Sequence, residues 1–484
     1  MTATLTELDA PGVGDRSETR RIPLPLALLA ASLPMFMATL DNLVMTSALP
    51  VIQRSLHADI SHLEWFINAY TLSFATLMLA AATLGDRWGR RRMFVIGISV
   101  FILASIASAL AATPATLIAA RAAQGAGAAA IMPLSLTLLA GAVSRERRPM
   151  AIGVWGGVSG LGVALGPLVG GAVVEGLSWR AIFWLNVPVA LVAIPLARRY
   201  LRESYGRREP LDIISLGLGG AGVLALVWGI IHGNGDGWTA PTVLGTFTIG
   251  VLLLAAFVRR QGRVPHPLVP LRLFRSRSFS VANVTGFAFS LGMFGSIFLL
   301  VQSLQVQMGY SPLEAGIRTL PWTAAPMVVA PIAGLLAPRV GIRALLATGL
   351  TAQALGLAWI AVAVTSGSDY GRLIPAFVLA GVGMGLTFAP SSTAVLADMD
   401  EDDHGTASSA NATLREVGGA LGVAVLAAVF QAAHGTLTPD GFTPGLRPAI
   451  LTGAAVVAVG ALAALALPRH RATPVDAGSI EQPA

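Results

Sequence analysis

Apolar residues in this chain gather into runs too long for the core of a globular domain. About fourteen stretches, at residues 24–49, 62–84, 93–112, 115–142, 150–174, 180–198, 212–232, 241–258, 280–306, 313–337, 341–364, 372–397, 406–430 and 448–467, approach the roughly 20 residues a helix needs to cross a bilayer. Short polar connectors separate them. The first run is too long for a signal-peptide core, and no secretory cleavage pattern precedes it. An even number of crossings puts both chain ends on one face of the membrane.

Composition agrees with that pattern. Charged residues make up 12 % of the 484 positions and hydrophobic ones 54 %, and the mean hydropathy is +0.71. Ordinary soluble domains carry roughly 25 % charge, so a water-soluble monomer is excluded. The 53 glycines and 29 prolines suit a helix bundle in lipid, where small residues let backbones approach and proline is tolerated. With no cysteine, disulfides, thiolate metal sites and thiol nucleophiles are excluded.

The charges assign the topology. All basic residues are arginine, and the net charge is +7. Connectors on one face, from the Arg16, Arg20 and Arg21 segment to the Arg469 and Arg471 segment, hold 25 arginines; those on the other hold Arg54, Arg180, Arg372 and Arg447. The positive-inside rule makes the Arg-rich face cytoplasmic, with both termini there. The basic character therefore reports topology, and no aromatic-interleaved basic stretch suggests nucleic acid. The acidic connector from Asp398 to Asp403 lacks the turn glycine and closing Glu of a calcium loop and reads as a solvated loop.

The chain repeats internally. Residues 82–91 align with 334–343 at a shift of 252, superposing Arg87, Gly89 and Arg91 on Arg339, Gly341 and Arg343. Gly125, Gly127, Gly162 and Gly166 match Gly381, Gly383, Gly418 and Gly422 at a shift of 256. The expected architecture is an all-α integral membrane protein with two six-helix parallel-repeat halves, residues 24–198 and 279–467. Residues 199–278 form a central segment with an extra helix pair, and cytoplasmic tails occupy 1–23 and 468–484.

Several motifs in order carry a family resemblance. The loop Gly85-Asp86-Arg87-Trp88-Gly89-Arg90-Arg91-Arg92 resembles the signature loop of the major facilitator superfamily, although Ala82 stands at its first glycine and Pro338 replaces Asp86 in the second copy. Gly162, Gly166, Pro167, Gly170 and Gly171 in the fifth run resemble the antiporter motif of its drug:proton exchangers. Leu40-Asp41 through Ala48-Leu49-Pro50, Trp179-Arg180 with Asn186-Val187-Pro188, and Tyr310-Ser311-Pro312 with Leu320-Pro321 are similar to the fourteen-helix drug:proton antiporter branch. Leu43 and Thr46 depart from that branch, which has Thr and Asn there. The resemblance implies a multi-pass, monomeric exporter in a bacterial inner membrane, energised by the proton gradient, with no other cofactor and no metal.

The residues also have physical readings of their own. Gly89 permits a tight turn, and Asp86 among Arg87, Arg90 and Arg91 forms a candidate conformational latch; a bare topology signal would explain the arginines alone. Glycines every fourth position in the fifth run share one face, suiting either a seal or simple close packing. Charges within spans are costly and mark function by default. Asp41, Arg121, and Glu416 beside Arg415 are therefore candidates for proton coupling. Asp41 and Arg121 lie about 12 and 9 Å below the same face, so an ion pair between them is expected, either coupling or static. Trp65, Tyr70, Trp155, Asn411 and Arg318 are candidates for the substrate cavity, although such aromatics also serve as belt and packing residues.

The expected function is proton-driven export of amphipathic small molecules by alternating access, with small-molecule substrate, protons and the bilayer as partners. Lysine is absent, so no phosphate-binding loop ending in Lys-Ser or Lys-Thr exists and ATP-driven transport by this chain is excluded. An importer of a small organic solute would share the fold but not the fifth-run motif. A membrane enzyme would need clustered histidines or acids, and the seven histidines are scattered.

Overall fold

The computed structural model describes residues 23–144, 147–206, 210–364, 370–400 and 403–468. Most of both expected tails, together with Arg145, Glu401 and Asp402, lies outside the described residues. Among the described residues fourteen helices are long and apolar enough to cross a membrane: α1 (Leu24–Leu56), α2 (Ile60–Trp88), α3 (Arg90–Ala109), α4 (Pro114–Ala142), α5 (Met150–Gly176), α6 (Ala181–Tyr200), α7 (Ile213–Asp236), α8 (Pro241–Gln261), α9 (Arg277–Val306), α10 (Pro312–Val340), α11 (Ile342–Ala363), α12 (Tyr370–Leu396), α13 (His404–Ala432) and α14 (Phe442–Ala464). No strand occurs among the described residues.

Local chemistry sets the ends of these helices. At α2 the Asp59 carboxylate accepts from the His62 amide at 2.8 Å while the His62 ring accepts from the Asp59 amide, a reciprocal cap that starts the helix two residues before the apolar run. Thr113 with Thr116 and Ser311 with Glu314 do the same for α4 and α10, each followed by proline at the first helical position. Gly89 and Gly341, equivalent positions of the repeat, end α2 and α10 at φ of 108° and 87°, which a side chain would strain. The helix in α6 breaks at Leu185 and that in α10 at Ala324. Helix α1 runs seven residues past its expected end because Pro50 to Leu56 stay helical beyond the apolar stretch.

Packing repeats eight helices on. In the first half α1 packs on α5 and α6, α4 on α2 and α3; in the second α9 packs on α13 and α14, α12 on α10 and α11. The halves meet along α2 with α13, α1 with α9, and α5 with α10. Helices α7 and α8 pair with each other, and α7 docks over the α2–α13 seam through a cluster of Leu72, Val227, Ile231, Ala420 and Ala424.

The two ends of the bundle differ. At the Arg-poor end, hydrogen bonds cross between halves: Gln305 to the Ser47 carbonyl at 2.9 Å, Thr323 to the Ala164 carbonyl at 3.1 Å, and the Leu313 amide to Glu175 at 3.0 Å. Toward the Arg-rich end α5 and α10 separate, and Gly153, Gly156, Gly157, Gly160 and Gly334 have no neighbouring side chain or partner helix within 4 Å of where a Cβ would stand.

Candidate transport site

Two polar centres occupy the middle of the bundle. In the first half, Arg121 of α4 donates to the Asp41 carboxylate of α1 at 2.5 Å, and both side chains are buried. Asp41 also accepts from Gln124 at 2.8 Å and from Asn186 at 2.7 Å. Gln124 and Asn186 share the Ser105 hydroxyl, so α1, α3, α4 and α6 are tied at one point. The Arg121 guanidinium donates further to the Phe66 carbonyl and lies 4.4 Å above the Tyr70 ring, whose hydroxyl donates to the Ala38 carbonyl. Such partnering offsets the cost of holding a charge pair out of water, although one terminal nitrogen of the Arg121 guanidinium has no partner among the described residues. The expected contact of Asp41 and Arg121 is present, enlarged to a network by Gln124, Asn186 and Ser105.

In the second half, Arg415 and Glu416 of α13 are neighbours in sequence but not a salt bridge. Arg415 turns toward α12, 4.3 Å from the Phe388 ring. Glu416 forms no side-chain hydrogen bond or ion pair with any described residue, and it lines a small pocket between the halves with Asn42, Ile67, Thr71, Phe294, Gly419 and Val423. Asn411, one turn earlier, donates to Asn283 of α9 at 3.0 Å and is buried there. Tyr70, against Arg121, lies within electrostatic range of both Asp41 and Glu416.

At the Arg-rich end the loop after α2 is clasped by the end of α6 and the start of the central segment. Arg90 pairs with Asp86 at 2.6 Å. The Glu203 carboxylate accepts from the Arg91 amide at 2.8 Å and the Arg92 amide at 3.1 Å, capping α3 at its positive end. Arg91 donates to the carbonyls of Arg198 and Leu201, and the Gly206 amide donates to the Asp86 carbonyl. Gly89 sits against Glu203, and Arg87 has no side-chain partner among the described residues. Arg272, in the central segment before α9, pairs with Asp403 at the head of α13, and its hydrogen bond holds that carboxyl below the usual range.

The glycine face of α5 lies in the closed part of the bundle. A Cβ on Gly162, Gly166 or Gly170 would meet α1 at Thr39, Leu43 or Val44, and one on Gly171 would meet Pro312 of α10. Gly316 of α10 returns the contact against the Pro167 carbonyl, to which the Ser47 hydroxyl also donates at 3.0 Å. Trp155, in the open half of α5, is half-buried and donates to Ser135 of α4 at 3.1 Å.

A family model described as Major Facilitator Superfamily matches residues 31–423. The chain belongs to this superfamily. Its fourteen helices fit the fourteen-helix drug:proton antiporter branch, and as a superfamily member it is a multi-pass membrane transporter of small molecules rather than an enzyme. It is 32 % identical over 90 % of its length to the tetracenomycin C resistance and export protein of Streptomyces glaucescens, of which 81 % is covered. It is 33 % identical to the multidrug efflux pump LfrA of Mycolicibacterium smegmatis, covering 93 % of this chain and 89 % of that one. Among solved structures, a POT family transporter in complex with a thioalcohol-conjugated peptide matches with a TM-score of 0.69 at 14 % identity, covering 91 % of this chain and 94 % of the other. A bacterial homologue of human lysosomal Spinster, inward-facing and unoccupied, matches with 0.67 at 16 % identity, covering 92 % and 97 %. At these identities the likeness concerns the fold.

Within the superfamily fold the remaining cavity candidates have definite places. Trp65 packs against the α7–α13 cluster. Tyr70 is part of the Asp41–Arg121 centre. Arg318 lies at the Arg-poor end, its guanidinium 3.7 Å above the Tyr310 ring and its carbonyl accepting from Tyr370. Sequence reasoning missed Gln124, although it sits three residues after Arg121 on the same helix face, and Glu203, whose connector counts only as a source of arginines. It also missed Glu64, a fully buried carboxyl near the start of α2.

Proposed function

We propose that the chain exports amphipathic small molecules, drugs and antibiotics among them, in exchange for protons, and that the conformation described here is open to the cytoplasm. One observation carries the coupling: Glu416, a carboxyl with no bonded arginine, lines a pocket to which both halves contribute. A charge so placed is costly to leave uncompensated, and either a proton or the positive part of a substrate offsets it. Alternation between the two gives exchange. The names of the antibiotic and multidrug export relatives support the substrate class. The arginine distribution supports the orientation, with the open Arg-rich end inside and both termini cytoplasmic. The Asp41–Arg121 centre either couples to Glu416 through Tyr70 or holds the first half together. The loop of Asp86, Arg87, Gly89, Arg90 and Arg91 latches the inner end in one state, and the α5 motif of Gly162, Gly166, Pro167, Gly170 and Gly171 seals the outer end.

Uptake into everted membrane vesicles tests the reading with a panel of dyes and antibiotics that includes ethidium and puromycin. Accumulation should require an inwardly acid vesicle and collapse with a protonophore. Accumulation that ignores the proton gradient overturns it.

A further inference from the structure

Helix α2 carries a buried polar line that neither centre uses. Glu64 and Asn68 are fully buried, and Thr71 is buried at 4 % exposure. At 3.6 residues per turn the three lie within an arc of about 60° and rise about 10 Å along the helix. Glu64 begins the line at the Arg-poor end, where one carboxylate oxygen accepts from Gln431 of α13 at 3.2 Å. Its other oxygen, and both polar atoms of the Asn68 amide, have no partner among the described residues. Thr71 ends the line as a wall of the Glu416 pocket, with Ile67 beside it. Buried polar atoms left unmatched by protein cost free energy unless water or a proton satisfies them; the three on Glu64 and Asn68, followed by the Thr71 hydroxyl that donates to the Ile67 carbonyl, define a wettable track.

Packing alone does not account for this line. Leucine at Glu64 and Asn68 would fill the α2–α13 seam without orphaned groups, as Leu72 does on the flank covered by α7. The surroundings are otherwise electrically quiet. Asp59, at the cap of α2 and paired with His62, is the one charged group that acts on Glu64 among the described residues. Arg121 of α4 is committed to Asp41 and the Phe66 carbonyl, and α1 contributes that same Asp41. The His232 ring of α7 is bonded to the Trp228 carbonyl and stacked on its indole. Beyond Gln431, α13 contributes Glu416 at the far end of the line. Helix α3 carries its arginines at the opposite end.

We propose that Glu64 is an outer proton relay that delivers protons to Glu416 along the polar face of α2. The inference rests on the reading of Glu416 as the coupled proton carrier. When α2 and α13 part at the Arg-poor end, Gln431 withdraws and Glu64 takes a proton from the outer solution. The Glu64 O–H then breaks as water held by the Asn68 amide passes a proton on. An O–H forms on Glu416, and Glu64 is left as the anion that Gln431 re-engages when the seam closes. The same Gln431 contact that seals the end thereby prevents the relay from running while the inner end is open.

Infrared spectroscopy of the purified protein in liposomes, after an acid jump on the Arg-poor side, tests this without any substrate. The protonated-carboxyl band that disappears in Glu416→Gln reports the destination. Its rise should slow by about tenfold or more in Glu64→Gln, and Glu64→Asp should restore most of the rate. Asn68→Leu guards against misfolding: it removes orphaned polar atoms, so thermal stability should hold or rise while the band still appears slowly. Wild-type rates in both Glu64→Gln and Asn68→Leu overturn the relay. If Glu416→Gln removes no band, the reading of Glu416 itself fails, and the relay loses its destination.

Discussion

Asp41 and Glu416 are both acids deep in the bundle, each with an arginine available, yet their surroundings are opposite. Asp41 is bound by Arg121, Gln124 and Asn186, all from its own half, so its charge is a fixed part of that half. Glu416 has Arg415 beside it in sequence and within electrostatic range but not bonded to it, because the guanidinium lies over Phe388, and its pocket is shared by both halves. A carboxyl fully satisfied by one rigid body has little to gain from motion. One that is unpaired at the joint between two bodies changes its surroundings whenever they move. From this contrast we propose holding, of the two roles open to the first centre, and exchange for the second, and the proposal can be tested from either side.

The largest effect should come from Arg121→Ala. It strands Asp41 in a dry interior, at a cost of about 3–5 kcal/mol, enough to lower the amount of protein reaching the membrane, as measured by immunoblot and by the melting temperature in detergent. Normal levels of a fully active Arg121→Ala would erase the distinction. Next, Glu416→Gln should leave the amount and melting temperature unchanged while gradient-driven efflux falls by about a hundredfold. Retained efflux would move the exchanging role elsewhere. Smaller again is Arg415→Met, which exchanges a cation over Phe388 for an apolar chain and should cost about 1–2 kcal/mol. A collapse like that of Arg121→Ala would mean that Arg415 is paired with Glu416 in another state. The smallest effect concerns acid and supplies the control. Burial of Asp212 at the head of α7 works against its charge, but hydrogen bonds from Arg260 and Ser215 win and bring its carboxyl down to about 2. A lowered carboxyl stabilises the fold above its unfolded range and loses that contribution only as pH falls through its folded value. Asp212→Asn should therefore leave the melting temperature's pH profile unchanged in shape between pH 5 and 8, diverging only below about pH 4. A change of shape within the upper window would show that surface pairs contaminate any pH dependence ascribed to Glu416.

Much of the fold was legible because the bilayer demands long apolar runs and places arginine on one face. All fourteen helices coincide with expected runs, and the repeat glycines Gly89 and Gly341 prove to be equivalent helix terminators. Boundaries were less so, because the reciprocal cap at Asp59 and the helical extension to Leu56 lie outside the hydrophobic signal. Equal depth sufficed to bring Asp41 and Arg121 together. Depth says nothing about direction, however, so the divergence of Arg415 from Glu416 was invisible. Glu64 escaped for a related reason: four residues from a helix start it reads as an interfacial acid, and only α13 packing across it makes it buried.

The extra helix pair gives the molecule a handedness that the two-fold repeat alone would not. Helix α7 is fastened to both halves at once, with Asn234 donating to the Ala428 carbonyl of α13 at 2.6 Å and Gly220 pressed on Thr76 of α2. Among the described residues no further helix straps the α5–α10 flank. Helix α8 packs Thr246, Phe247, Leu254 and Phe257 on α7, buries Val243, Gly250 and Gln261, and leaves its opposite side exposed. On the proposed alternating-access reading, relative motion of the halves would be a swing about one strapped edge, and each swing would sweep a paddle through the bilayer. Membrane thickness and viscosity would then enter the turnover as a mechanical load, borne on one side of the machine only.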